Sequence, residues 1–193
     1  MLIVVSRHAH SVLNQEGRVN GDPTVAAPLS EEGREQARLL GEQIVHLELD
    51  LCVHTRFPRT RETAEIALAG RSVPFEVEPL LDDVDVGDLD GAPLEDYRKV
   101  KRSIGRKTPF PGGESLDQAA LRYARGFRAV ARRNAARVLV VCHEIPLRYA
   151  LNAAAGSDLL DGPPFHDLPN AVPYLFDAGA LEAAVARIET LAG

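Results

Sequence analysis

VVSRHAHSVLN, residues 4–14, runs from an apolar tract straight into an arginine and two histidines spaced one apart. In an extended chain, side chains two positions apart share a face, so His8 and His10 could share one ligand. Such a stretch is a metal-binding pair, a phosphate site with a nucleophilic histidine, or the polar end of a buried strand. The rest of the chain has to decide between them.

Around this stretch, short β-rich runs alternate with longer helical ones. LIVVS (2–6), LDLCVHT (49–55) and VLVVC (138–142) read as buried strands, and YLF (174–176) as a further one. An apolar run over 73–81 is broken by Pro74 and Pro79. Ser30 is placed to cap a helix that Ala37, Leu40, Ile44 and Leu47 carry to about Leu49. Pro58 suits the first turn of another helix, with Gly70 at its end. Residues 111–115, PGGES, lead into a long helix on which Leu116, Ala119, Ala120, Tyr123, Phe127 and Val130 recur at helical intervals. Residues 180–192 are periodic as a last helix. The pattern predicts an α/β fold, a three-layer α/β/α sandwich with a mainly parallel central sheet. One domain over 1–193 is expected, with 88–115 as a cap or substrate-lip insertion.

Composition narrows the function. Hydrophobic residues at 45% and charged residues at 26% suit an ordinary globular protein that buries a core without disulfides. Cys52 and Cys142 lie in apolar surroundings and read as buried thiols of a reducing compartment. The formal net charge of −6 argues against a nucleic-acid partner. No basic residue precedes the opening MLIVV, and a polar Ser-Arg-His follows it, so neither a signal peptide nor a membrane span is expected. The expected compartment is the cytoplasm.

Parallel strands bind ligands beyond their carboxyl ends. There, VVSRH delivers His8, VLVVCH delivers His143, and HTRFPR delivers Arg56 and Arg59. His-x-His metal pairs occur in (β/α)8 barrels, which need about 200–250 residues and eight strand–helix units, against about five here. A zinc site would also want further ligands, and would not set arginines beside them. Phosphate accounts for the arginines, because a guanidinium donates paired hydrogen bonds to phosphate oxygens and keeps its charge. A neutral imidazole nitrogen can then attack phosphorus, giving a phosphohistidine that water hydrolyses. One such histidine is most often a hydrogen-bonded core residue; two histidines and two arginines at neighbouring strand ends are not.

The ordered motifs resemble the histidine phosphatase superfamily, which includes the cofactor-dependent phosphoglycerate mutases. They begin with Arg7-His8-Ala9-His10-Ser11, Asn14, and Arg18-Val19-Asn20-Gly21, followed by Pro28-Leu29-Ser30, Gly33 and Gln36-Ala37. Next come the turn from His54 through Arg59 and Thr63 to Ala64, then Leu81-Asp82-Asp83 with Gly87 and Gly91. Pro-Gly-Gly-Glu-Ser at 111–115, His143 and Arg148 complete the set, which spans residues 2 to about 176. The resemblance implies a phosphoglycerate mutase-like fold, with His8 as nucleophile and Arg7, Arg59 and His143 holding the phosphoryl group. It implies Asp83 as general acid, with Asp82 and Asp85 close enough to compete. Ser11, Asn14, Gly21 and Glu144 are expected to border the substrate, a small phosphomonoester. No metal and no organic cofactor is required, and a homodimer is left open. Mutases carry a long insertion where only 22 residues separate Gly91 from Glu114, which favours a phosphatase. The alternatives are mutase-type transfer and a non-catalytic phospholigand binder.

Four positions depart from the family pattern. Ala9 replaces a glycine and is tolerated only at negative φ. His10 replaces Glu or Gln and is expected to be solvated or to act behind the site. Glu144 replaces a glycine and would repel phosphate unless an arginine pairs with it. Asp83 replaces a glutamate, and its ordinary pKa near 3.9 must be raised by burial or a neighbouring carboxylate, for which Glu144 is a candidate. The segment RKVKRSIGRK, 98–107, holds six basic residues and is either a solvated helix face or a basic lip over the site.

Overall fold

Parallel strands covered on both faces should be apolar at nearly every position, and the three longest apolar runs form the middle of the sheet. A computed structural model describes residues 1–193. Its elements in chain order are β1 (Leu2–Arg7), α1 (Val12–Gln15), α2 (Glu31–Gln43), β2 (Leu51–His54), α3 (Pro58–Ala67) and β3 (Phe75–Val77). Then follow α4 (Leu94–Ile104), α5 (Leu116–Ala131), β4 (Arg137–Cys142), α6 (Glu144–Ala154), β5 (Pro173–Asp177) and α7 (Ala178–Ala192). The sheet order is β3-β2-β4-β1-β5, with β5 alone antiparallel.

Alternation along the strands divides the core. Val4, Cys52, Leu139 and Val141 pack with Ala37, Leu40 and Ala64 of α2 and α3. Ile3, Val5, Val53, Val138 and Val140 pack on the other face with Phe127, Leu147 and Val185 of α5, α6 and α7. The result is the three-layer α/β/α sandwich with a mainly parallel sheet. No helix is long and apolar enough to cross a membrane.

Several boundaries differ from the sequence expectation. Helix α2 stops at Gln43 rather than near Leu49. The apolar spacing continues past its end because Ile44 and Leu47 fold back onto the same core in turns, where Arg71 donates to the carbonyls of both residues. The 73–81 run yields only a three-residue exposed edge strand, since Pro74 and Pro79 bracket it. Helix α6 follows His143 directly and was hidden by Pro146, which a first helical turn accommodates.

The start of α2 also holds the loop after β1. Ser30 Oγ caps Gly33 N at 3.1 Å, and Ser30 N donates to the His10 carbonyl at 2.9 Å. A Cβ on Gly33 would lie 1.9 Å from the His10 carbonyl oxygen. Exchanging glycine for alanine in a free helix gains up to about 1 kcal/mol. Here the clash inverts the sign: Gly33→Ala should cost about 1–3 kcal/mol. A urea titration should show a lowered midpoint at unchanged slope, and an unchanged or raised midpoint would contradict this packing.

Candidate active site

The pairing of β1 with β4 sets Arg7 opposite Cys142, and His8 N donates to the Cys142 carbonyl at 2.9 Å. His8 and His143 therefore leave the sheet side by side, with ring centroids 5.4 Å apart. The neighbouring strand β2 ends at His54 and turns through Thr55 and Phe57 into α3, whose first turn carries Arg59. The loop at His8 is pinned from behind, as Ala9 N donates to Thr63 Oγ1 (3.0 Å) and His10 N to Gln36 Oε1 (2.9 Å). Ala171 is the single non-glycine residue at positive φ, so Ala9 meets the condition its side chain imposes.

Hydrogen bonds fix both imidazole tautomers. A carbonyl only accepts, so His8 Nδ1, 2.7 Å from the Ala9 oxygen, carries the proton. His8 Nε2 is left with a lone pair, which accepts from Arg59 Nε at 3.0 Å. For His143 the polarity runs through a hydroxyl chain. Thr60 donates to the Phe57 carbonyl (2.8 Å), Thr55 to Thr60 (2.9 Å), and His143 Nε2 therefore to Thr55 (2.9 Å). His143 Nδ1 is the acceptor, 3.1 Å from Arg59 Nη2.

Arg59 is the hub. It stacks on Phe57, 4.2 Å from the ring centroid, and its remaining donors reach Asp83 Oδ2 (3.0 Å) and the side chain and carbonyl of Asn20. Asp83 Oδ2 is also 3.4 Å from His143 Nδ1. Burial, then the Arg59 charge, pushes both imidazoles well below their usual range. Burial pushes the Asp83 carboxyl up, against the pull of Arg59. At neutral pH the site therefore holds a neutral imidazole with an unprotonated Nε2, fixed cations, and a carboxyl held closer to protonation than a free one.

Of the three neighbouring aspartates, only Asp83 faces the histidines. Asp82 is buried against the main chain and guanidinium of Arg56, and Asp85 caps Gly87 N at 3.0 Å. Arg56, a strand-end arginine in the sequence, is thereby withdrawn from the pair. Arg7 Nη1 is held by the Leu168 carbonyl (2.6 Å) and by Glu144 (2.9 Å). Glu144 is thus paired with an arginine, as its position demanded.

A cavity of about 420 Å³ is lined by Arg7, His8, Arg59, Asp83 and Glu144 together with His10, Ser11, Asn14 and Asn20, whereas His143, expected to hold the phosphoryl group, is fully buried outside that lining. Ser11 and Asn14 cap α1 reciprocally, Ser11 Oγ accepting from Asn14 N and Asn14 Oδ1 from Ser11 N. Gly21, expected beside the substrate, lines a separate polar cavity behind Asp83 instead. Its Cα packs so close to Val84 that a Cβ would lie 2.4 Å from that carbonyl, and Asn20 takes the inward place. His10 turns its Nδ1 to Ser30 Oγ at 3.0 Å, because the strand ends at Arg7 and the two-residue alternation stops there. No group of three or more His, Cys, Asp or Glu is arranged to hold a metal ion.

The basic segment divides. Arg98 and Lys101 line the cavity, Lys99 and Arg102 pair with Asp96 and Glu95 on the outer face, and Arg106 turns inward to Asp117, Tyr149 and Asp161. Sequence reasoning had not singled out Asn20, Thr55 or Asn170, whose Nδ2 holds the His8 carbonyl at 2.7 Å. Asn20 lay inside a quoted motif and Thr55 at a strand end. Asn170 sits in an irregular stretch with no pattern to mark it.

The model of the histidine phosphatase superfamily (branch 1) matches residues 3–185. This chain belongs to that superfamily. It is 30% identical over 167 residues to phosphoserine phosphatase 1 of Hydrogenobacter thermophilus, covering 81% of this chain and 77% of that one. It is 32% identical over 138 residues to 2,3-bisphosphoglycerate-dependent phosphoglycerate mutase 2 of Gloeobacter violaceus, covering 65% of this chain and 61% of the mutase. The solved alpha-ribazole phosphatase of Shigella flexneri matches 92% of this chain and 90% of its own with a TM-score of 0.79; at 20% identity the likeness is one of fold.

Two buried neutral imidazoles have a consequence for stability. Their folded pKa values lie below the unfolded value of about 6.5, so below that pH the unfolded chain binds more protons. Their contribution is whole above about pH 7 and is lost progressively as pH falls below about 6.5 toward their lower folded values. Tm should drop between about pH 7.5 and pH 5.5, and the drop should be smaller in His143→Gln. A Tm that rises over this interval would contradict the assignment.

Proposed function

We propose that this chain is a phosphomonoester hydrolase that carries the phosphoryl group on His8 Nε2 while it hydrolyses a small phosphorylated metabolite. The observation that carries the reading is the tautomer of His8. Its Nδ1 proton is tied to a carbonyl, and its Nε2 lone pair points at the guanidinium of Arg59. A nucleophile held against a cation has its target anion drawn to it.

The chemistry follows in two steps. His8 Nε2 attacks phosphorus as the ester P–O bond breaks, Arg7 and Arg59 stabilise charge on the transferring oxygens, and His143, whose Nδ1 accepts from Arg59, positions that guanidinium. Asp83 gives its proton to the leaving alkoxide, which departs as an alcohol. Water then attacks the phosphohistidine, the Asp83 carboxylate takes its proton, and inorganic phosphate leaves with His8 neutral again. Similarity to a phosphoserine phosphatase along most of both chains supports hydrolysis over transfer to a second hydroxyl, as does the short segment between Gly91 and Glu114.

Brief incubation with p-nitrophenyl phosphate should leave acid-labile, alkali-stable phosphate on the wild type and none on His8→Ala. Turnover by His8→Ala at the wild-type rate would exclude the covalent route, and absence of any turnover by the wild type would favour the binder. Conversion of 3-phosphoglycerate primed with a trace of 2,3-bisphosphoglycerate, faster than its hydrolysis, would favour the mutase.

Asp83→Asn separates acid catalysis from binding. In a single turnover, transfer to His8 from an alkyl phosphate should slow by ~10²–10⁴-fold, whereas transfer from p-nitrophenyl phosphate, whose leaving group needs little protonation, should be largely spared. The water step that follows should slow for both. Equal slowing of transfer from both esters would place the acid elsewhere.

A further inference from the structure

Glu144 puts a carboxylate next to His143, at the edge of a site built for an anion. Both of its oxygens are engaged. Oε2 lies 2.9 Å from Arg7 Nη1 and Oε1 lies 2.9 Å from Arg148 Nη1. Arg148 Nη2 continues to Asp161 at 3.3 Å, and Asp161 also takes Lys101 (3.2 Å), Arg106 and the Tyr149 hydroxyl (3.1 Å). Alternating charges thus run unbroken from Arg7, at the end of β1, to Lys101 on α4, the helix that walls the far side of the cavity.

Arg7 shows what the ladder does. Its Nη1 is occupied by Glu144 and the Leu168 carbonyl, while Nη2 makes no hydrogen bond and Nε is buried without a partner. Nε and Nη2 form one edge of the guanidinium, the two-donor fork that grips a phosphate with parallel hydrogen bonds. A buried N–H without an acceptor is costly, and this edge stays open to a ligand while Glu144 and the Leu168 carbonyl hold Nη1.

We infer that Glu144 is a positioning residue: by holding Arg7 Nη1 it presents the Nε–Nη2 edge of Arg7 to the phosphoryl group, and through Arg148 and Asp161 it anchors that edge to α4. The inference rests on the phosphoryl-transfer reading above. It explains why a carboxylate is tolerated where repulsion of phosphate was expected. Glu144 acts on the phosphoryl group through Arg7, since each of its oxygens accepts from an arginine and a phosphate dianion offers it no donor.

A second effect follows from the same charge. Asp83 is faced by Arg59 from α3, Arg7 from β1, His143, Glu144 from α6, and Arg122 of α5, which donates to the Asp83 carbonyl at 3.0 Å. Burial raises the Asp83 carboxyl and Glu144 adds to the rise, while Arg59 and Arg7 oppose it. Removing the Glu144 charge makes Asp83 a stronger acid.

The test is Glu144→Ala beside Glu144→Gln in the full chain, with turnover of p-nitrophenyl phosphate and binding of inorganic phosphate and of orthovanadate. A misaligned clamp should lower kcat by about 10–100-fold and weaken vanadate, which mimics the transition state, by a similar factor. Phosphate affinity should change by less than about threefold, because a lost carboxylate offsets a lost alignment. With an alkyl phosphate, the alkaline limb of kcat should move to lower pH. Unchanged kcat and vanadate binding would overturn the proposal, as would phosphate and vanadate both tightening, the mark of a merely repulsive charge. The vanadate-to-phosphate affinity ratio does not depend on the fraction of folded protein or on turnover. A wild type that hydrolyses no ester would sink the hydrolase reading, and this ratio would still decide the role of Glu144.

Discussion

The parallel pairing of β1 with β4 is the constraint on which the site depends. Its register sets Arg7 beside Cys142, and so His8 beside His143. The core enforces that register. A slip of one residue on either strand would exchange Ile3 and Val5, or Val138 and Val140, with residues packed on the opposite face of the sheet. Each swap would force a misfitting volume into a packed layer, at a cost of about 1–3 kcal/mol. The alignment of the two imidazoles is thereby tied to the stability of the fold itself.

Arg59 converts that alignment into chemistry. A buried guanidinium is tolerable only if its N–H groups are satisfied, and here they are divided among His8, Asn20, Asp83 and His143, over the face of Phe57. Its charge, on top of burial, keeps both rings unprotonated. The cost of burying one cation thus yields two neutral imidazoles beside a fixed positive charge. Asp83 shares the hub, so a carboxyl pushed up by burial stands beside the same rings.

The parts of the fold legible in the sequence were those whose side-chain pattern has one physical cause. β1, β2 and β4 announce themselves because both faces are covered, and α5 because one face is. Helix α6 escaped because Pro146 stands in its first turn and because it is buried on every side from Ile145 to Ala153, Arg148 and Asn152 included, and so shows no stripe. The end of α2 was misjudged because turns that pack on the core carry the same apolar spacing as a helix. At the site, strand ends gave His8, His143 and Arg59 from topology alone. Which of Asp82, Asp83 and Asp85 faces them depends on Arg56 and Gly87, whose positions no spacing encodes. Glu144 was visible as a misfit, but its partners Arg7, Arg148 and Asp161 come together only in three dimensions.

If His8 carries the phosphoryl group, hydrolysis is two in-line displacements at phosphorus. The direct measurement is the stereochemical course for a phosphorothioate ester made chiral at phosphorus with oxygen isotopes and hydrolysed in isotopically labelled water. Two inversions give net retention of configuration, the result this account predicts. Net inversion would mean that water attacks the ester directly, and would contradict His8 as the covalent carrier.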